Sequence, residues 1–578
     1  MPGIKTTQIQ LPTTVQGVLA ARIDRLAVDE KALLQHLSVI GREFAFSLAR
    51  QVVDLKEETL HGLLDSLQRR EFLYEQPAFP EVEYIFKHAL TQEVAYQSLL
   101  QERRKGIHER TAQAIELIYQ QELEDHYGDL AHHYSRSGNI EKSIVYLERA
   151  GLQASDRAAV VDAVSYLSSA LEFLKQTPES PIRERKELDL LLALIPPVHM
   201  NKGMTSSELE KICTRARELC ERVGGAADLF PLLVELRSHY CVRGDCRTAL
   251  EYSRELMKLA EVVQDSIFYL HAHAAMAVSL FFLGDLKGST LHAARVRDLY
   301  DVEQHRSQIL KCGFDPLVLC LWYDAIMAWI LGFPRQAQKY AEESTSLAQR
   351  IGHPHGVAMA KFGWIMLSTL GHEPAECEVQ SEAVISLALE HQFPDWLNYG
   401  TVVHGWALEQ QGNQDGLDRF VHGMAELRAA RVELIFPLLQ ILCAEIHLRR
   451  DAPEEARLAV DEGLAIAAWN RERTWDAEFY RLLGEITLKD PGDATERARA
   501  AEAHYEKAIA LAQHQEAKSW ELRATLSLAR LWIHRGRTTE AHERLAPLYA
   551  WFTEGFDTPD LQAAAALINQ LQKLIVET

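Results

Sequence analysis

Apolar residues recur at helical spacing along nearly the whole chain, and the places where that spacing changes divide it into parts. Near the N-terminus, Val15–Leu26, Glu30–Ile40, Phe46–Val53 and Thr59–Arg70 predict four short helices, with Gly41 ending the second. The period then drops to two. Phe72-Leu73-Tyr74, a Pro77/Pro80 turn and Glu83-Tyr84-Ile85-Phe86 predict a β-hairpin. Helical spacing resumes over Ala89–Leu100 and Glu102–Glu122. Three helices followed by a hairpin is the pattern of a winged helix.

From residue 126 onward the pattern is helix, short turn, helix. Turn elements recur at Gly138-Asn139, Gly244-Asp245, Gly284-Asp285, Gly332-Phe333, Gly371-His372, Gly412-Asn413, Asp451-Ala452 and Gly536-Arg537. From Gly244 to Asp451 the steps are 40, 48, 39, 41 and 39 residues. A fixed period in this range predicts stacked repeats, in which each unit packs on its neighbours. Leu130, Tyr134, Leu147 and Ala150 fall on facing surfaces of a tetratricopeptide-like hairpin, as do Leu528, Trp532, Ala541 and Leu545. Proline pairs at Pro178/Pro181 and Pro196-Pro197 predict a break between two subdomains. The expected layout is a flexible N-terminus over 1–11 and a winged-helix-like domain over 12–125. First helical repeats follow over 126–180, then a Pro-containing linker over 181–204 and a tetratricopeptide-like superhelix over 205–578. The fold class is all-α: an α-solenoid of helical hairpins preceded by a small winged-helix domain.

Charge changes the picture of partners. The net charge is −21, and residues 1–125 hold 14 Lys+Arg against 19 Asp+Glu. An acidic surface repels phosphate backbones, so nucleic acid is an unlikely partner. Arg69-Arg70 and Arg103-Arg104-Lys105 would be the DNA contacts of a winged-helix regulator, but a solvated helix face explains them better. The eight cysteines form no CxxC and read as small buried hydrophobes of an intracellular protein. No apolar run approaches the ~20 residues of a membrane span. A soluble, cytoplasmic protein with no membrane partner is expected.

Candidate chemistry is sparse. Gly284-Asp-Leu-Lys287-Gly288-Ser-Thr290 imitates a phosphate-binding loop, but it is one residue short, lacks a lysine after Gly288 and sits at a repeat turn. The histidine pairs His132-His133, His271/His273 and His353/His355 lack the spacing of a zinc site, so no metal is expected. No hydrolase motif is present, and the chain reads as a non-enzyme without a cofactor.

Residues 11–100 resemble a bacterial module. The resemblance is carried by Leu11-Pro-Thr-Thr-Val15, Ala20–Leu26, Ser38–Phe44, Arg70–Tyr74 and Phe86-Lys-His88-Ala-Leu90-Thr-Gln-Glu93-Val-Ala-Tyr96. Leu482–Glu485, Ala501–Tyr505, Leu526–Leu531 and Trp551–Asp557 agree with it. The chain resembles the part of STAND ATPases (signal-transduction ATPases with numerous domains) that follows the nucleotide-binding domain. The similarity is greatest to the branch linked to class III adenylate/guanylate cyclases. The phosphate-binding loop and cyclase metal aspartates of that family have no counterpart here. ATP or ADP would belong to full-length relatives, and His88 would be a nucleotide sensor only beside an ATPase core on another chain.

Together these readings predict a noncatalytic signal-transduction scaffold. A protein partner or small inducer would bind the superhelix, and the winged helix would couple it to an ATPase or cyclase module. Tyr240, Trp322, Tyr323 and Trp406, on the first helices of their hairpins, are the candidate contacts. Two other readings are a truncated portion of an ATP-binding cyclase-type enzyme and a winged-helix transcription regulator.

Overall fold

The computed structural model describes residues 13–77, 81–302 and 314–577. The expected N-terminal segment 1–11, the tip of the Pro77/Pro80 turn and Cys312 lie outside them. The chain divides into two compact units, residues 1–156 with 162–183, and 157–161 with 184–578.

In the first unit, helices Thr13–Asp24, Val28–Ile40, Phe46–Val52 and Glu57–Arg69 precede the hairpin of β2 (Leu73–Gln76) and β3 (Glu83–Phe86). A strand that the sequence reading did not anticipate, β1 (Glu43–Ala45), lies between the second and third helices. It pairs antiparallel with β3, giving the order β1-β3-β2, with Phe44 opposite Tyr84 and Leu73 opposite Phe86. Three residues are too few to show a period of two. Leu33, Leu34 and Leu37 bury against Leu60, Leu64 and Leu67, and Phe44, Tyr84 and Phe86 cover the sheet side. The unit thus joins a small three-stranded antiparallel sheet to its helices in the chain order helix–strand–helix–helix–hairpin. Helices Ala89–Gln97 and Gln101–Ile118 follow, then the hairpin Tyr127–Ser137/Ile140–Asp156 and the helix Val160–Leu174.

The second unit begins with a correction. Residues 181–204, expected as a linker, form the helix Pro181–Lys202 with Pro196 and Pro197 inside it. Each proline removes an intrahelical hydrogen bond. Burial of Leu188, Leu191, Leu194, Ile195, Val198 and Met200 around the prolines keeps the helix in one piece.

Nine hairpins and a last helix, Pro559–Glu577, follow one another among the described residues. Their starts are written locally. Helices from Pro316, Pro334, Pro354, Pro374, Pro394 and Pro453 open on proline, whose missing N–H is unneeded there. Asp245, Asp265 and Asp285 cap others by accepting from backbone N–H groups, and Asp315 caps the helix from Pro316 in the same way. Gly244 turns at φ +80°, and a Cβ there would lie 2.5 Å from Asn470 Nδ2. That glycine serves both the left-handed turn and a close approach from far along the chain. In the turn at 371–372, His372 rather than Gly371 takes the left-handed conformation, at φ +54°.

Close approaches of this kind recur with one register. Met204 N–H donates to Asp395 Oδ2 across 191 residues. Glu433 and Leu434 N–H donate to Val242 O. Thr474 Oγ1 bonds Phe281 O across 193 residues, and Ser519 Oγ bonds Trp329 O at 2.5 Å across 190. The carbonyls at a helix C-terminus have no partner within the helix. Here Val242, Phe281 and Trp329, at the ends of three successive first helices, are each satisfied from five hairpins further on. The solenoid therefore completes a turn in five hairpins and stacks its second turn directly on the first.

Candidate functional site

First and second helices of the hairpins are buried very differently. In Pro316–Ile330, 13 of 15 residues are buried, whereas in its partner Pro334–Ile351 only 6 of 18 are. A helix apolar all round belongs to an interior, and one with a single apolar stripe belongs to a surface. The first helices thus line the axis of the coil, and in the first turn they leave a cavity there.

The cavity is walled by Phe281, Trp322, Tyr323, Met359, Phe362 and Trp396, and closed by Leu438 and Trp475 from the second turn. About 90 Å³ of it is open to the centre of a water-sized molecule. Its polar lining is small. Arg237, 4% exposed, enters from Ala226–Val242, and its Nε and Nη2 have no hydrogen-bond partner among the described residues. Its Nη1 reaches Ser238 Oγ at 3.4 Å, a long contact. His199 Nδ1 lies 3.0 Å from Glu235 Oε2, both groups being 3% exposed. Burial opposes protonation of His199, but the Glu235 carboxylate outweighs it and holds the imidazole above its ordinary pKa. His355, 3% exposed, is pushed well below its ordinary value by burial and by His199 and His353, so it is neutral. Behind Trp475, burial raises the Glu472 carboxyl well above the carboxylate range while Trp475 Nε1 donates to it at 2.6 Å.

Of the residues singled out from the sequence, Trp322 and Tyr323 line this cavity. Tyr323 is 5% exposed, and the two rings stack with centroids 4.8 Å apart. Trp406, on Pro394–Gln410, is 0% exposed and packs inside the hairpin stack, out of reach of a docking partner. The reason is that the first helices face an enclosed axis rather than an open groove. Tyr240 is half-buried in a separate groove with Arg243, Arg431, Glu433 and the exposed Trp469. His88 is exposed at the N-terminus of Ala89–Gln97. Sequence reasoning missed Arg237, although a lone cation beside the apolar run Phe230–Val234 was a visible signal.

The other candidates resolve into structure. Gly284 is a repeat turn at φ +80°, and Gly288 N–H donates to Asp285 Oδ1 at 2.8 Å, so that N–H is engaged within the turn. Arg70 Nε lies 3.4 Å from Glu30 Oε1 and Arg69 Nε bonds Asp65 O. In the first unit, the ligand atoms of His108, His132 and His133 gather within 4.8 Å of one another. His108 Nδ1 and His133 Nδ1 share a hydrogen bond of 2.9 Å, and Tyr96 OH meets His108 Nε2 at 3.0 Å. Burial and neighbouring His132, Arg136 and Arg104 push His108 down to about 3, so it is a neutral link between Tyr96 and His133. Burial also pushes the thiols of Cys220 and Cys443 up to about 11 and Cys377 to about 12, so none is a thiolate at neutral pH. Among the described residues no helix is long and apolar enough to cross a membrane.

No family model matches the chain. It is 22% identical over 527 residues to an uncharacterized protein of Rhizobium meliloti (strain 1021), covering 90% of this chain and 50% of that protein. The chain thus spans about half the length of the curated relative it matches. Among solved structures it is similar to a STAND protein with a tetratricopeptide repeat sensor from Pyrococcus horikoshii. There the TM-score is 0.33 and the identity 12%, covering 98% of this chain and 68% of that one. It is also similar to the APC/C hetero-tetramer Cut9–Hcn1, with TM-score 0.46 and 14% identity over 84% and 87% of the two chains. A Rap protein complexed with competence and sporulation factor gives TM-score 0.37 and 12% identity over 75% and 98%.

Proposed function

We propose that the chain is a noncatalytic sensing and relay scaffold, in which the coiled solenoid takes up a small inducer on its axis. The observation that carries this is the aromatic cavity enclosed by first helices from both turns. A pocket that is mostly apolar with a few convergent polar groups is the usual form of a small-molecule site. Ligand held there touches both turns at once, so occupancy stabilises their stacking, and the coil is the element that changes state. The winged-helix unit would relay that state to an ATPase or cyclase module on another chain. His88, exposed at a helix start, is the residue offered to a nucleotide there.

Thermal unfolding and tryptophan fluorescence of the full chain against a small-molecule library test the reading. A true ligand raises the unfolding midpoint, by ~2.7 kcal/mol of stability at a hundredfold excess over Kd. Met359→Trp, which fills the cavity, is expected to abolish the shift. Absence of any small-molecule shift, together with capture of a folded protein on the outer helices, would replace the small inducer by a protein. With an ATPase module supplied separately, His88→Ala is expected to weaken nucleotide binding by that module and leave this chain's stability unchanged.

A further inference from the structure

We propose that Arg237 anchors the anionic head of a small, largely apolar ligand, an aromatic or alkyl carboxylate, seated in the axial cavity. The inference rests on the cavity being a ligand site, and it names the chemistry of that ligand. A guanidinium cannot escape burial by losing its proton, so it needs acceptors. Among the described residues no carboxylate pairs with it: Glu235 Oε1 and Glu472 Oε2 are buried without a partner, yet neither makes a hydrogen bond or ion pair with Arg237. Glu235 faces His199 at 3.0 Å, and Glu472 is held by Trp475 at 2.6 Å. Two of the three guanidinium nitrogens of Arg237 are left without a partner among the described residues.

Of the other buried wall atoms without partners (His199 Nε2, His355 Nδ1 and two indole nitrogens), the indoles point the same way. Trp322 Nε1 and Trp396 Nε1 are buried without partners, and an indole N–H only donates. Guanidinium and both indoles therefore call for acceptor oxygens on the ligand, around a body that the Phe, Met and Trp walls accept. With His199 paired to Glu235, Arg237 is the one cation on the wall without a counter-charge among the described residues, and it matches a single negative charge better than a phosphate dianion. By the room one water needs, the space suits a ligand on the order of ten non-hydrogen atoms.

The test uses the full chain with 4-phenylbutyrate and octanoate, each beside its neutral amide, read by tryptophan fluorescence and thermal unfolding. The acids are expected to bind about ten- to a hundredfold more tightly than the amides, the range of one charge-assisted hydrogen bond. Arg237→Met is expected to erase that preference while keeping amide binding, and Arg237→Lys to keep part of it. Without ligand, Arg237→Met is also expected to raise the unfolding midpoint, because an unpaired buried cation is removed. Equal affinity of acid and amide overturns the assignment and leaves the cavity as a ligand site. No binding of either series, to the wild type and Arg237→Met alike, overturns the cavity reading itself. An Arg237→Met protein that unfolds earlier or does not fold marks Arg237 as structural and also overturns the assignment.

Discussion

The two turns of the solenoid each bury arginines on first helices and treat them in opposite ways. In the second turn, Arg481 lies between Glu445 at 2.7 Å and Glu478 at 2.9 Å. Arg523 donates to Asp560 at 2.7 Å and to Leu370 O at 2.6 Å, and stacks over Trp329 at 4.8 Å. In the first turn, Arg237 has among the described residues only its long contact to Ser238. The fold can satisfy a buried guanidinium on this axis, so the isolation of Arg237 is a property of its site rather than of the architecture.

The largest expected effect tests the satisfied side. Arg481→Met leaves the half-buried Glu445 without its ion-pair partner and the buried Glu478 with Arg523, 3.7 Å away, and is expected to cost ~3–5 kcal/mol in urea denaturation. A cost below ~1 kcal/mol would mean that the network is hydrated and the contrast between the turns is small. Trp406→Ala should cost a similar ~3–5 kcal/mol through the cavity it leaves. Tyr240→Ala, in its half-open groove, should cost only about 1 kcal/mol. Comparable losses for the two would put both side chains in the core. Arg237→Met should have the opposite sign and stabilise the unliganded chain by about 1–3 kcal/mol, measured in the same denaturation series.

Acid separates the turns most finely. In the first turn His271 is 2% exposed, packed against Phe230 and Phe314, and burial pushes it down to about 3. A lowered folded-state value means its contribution is complete above pH 6.5 and is lost as pH falls from there towards 3. For Glu445, burial raises the pKa, but His372, Arg481 and Arg523 outweigh it and the net shift is downward from 4.5. Its contribution therefore stays intact down to about pH 4.5 and is lost below that. His271→Leu should flatten the loss of stability between pH 6.5 and 5 by up to ~1.4 kcal/mol per pH unit. Glu445→Gln should leave that slope alone. An unchanged slope in His271→Leu would show that water reaches this part of the axis.

The sequence carried what local spacing can carry. Alternation exposed the hairpin Leu73–Phe86, and the recurring, mostly glycine-bearing turn elements marked the repeats. The nearly unbroken apolar run Leu317–Tyr323 already announced a helix buried on all sides, which is why Tyr323 ends in a cavity wall rather than on an open groove. Two features had no local signature. Burial around Pro196-Pro197 overrode the helix-breaking tendency of the pair. The meeting of Val242 with Glu433, and of Trp329 with Ser519, depends on the angle between successive hairpins summed over five of them. Small angular increments of that kind leave no pattern in neighbouring residues.

The five-hairpin register has an evolutionary cost. In an open repeat array, duplicating or losing one unit changes only the length. Here such an event would slide the carbonyls of Val242, Phe281 and Trp329 away from their donors in the second turn. It would also move Trp475 and Leu438 off the cavity they close. The repeat number in this lineage is therefore expected to be frozen, with tolerated insertions confined to the outward-facing second helices and the tips beyond the last turn.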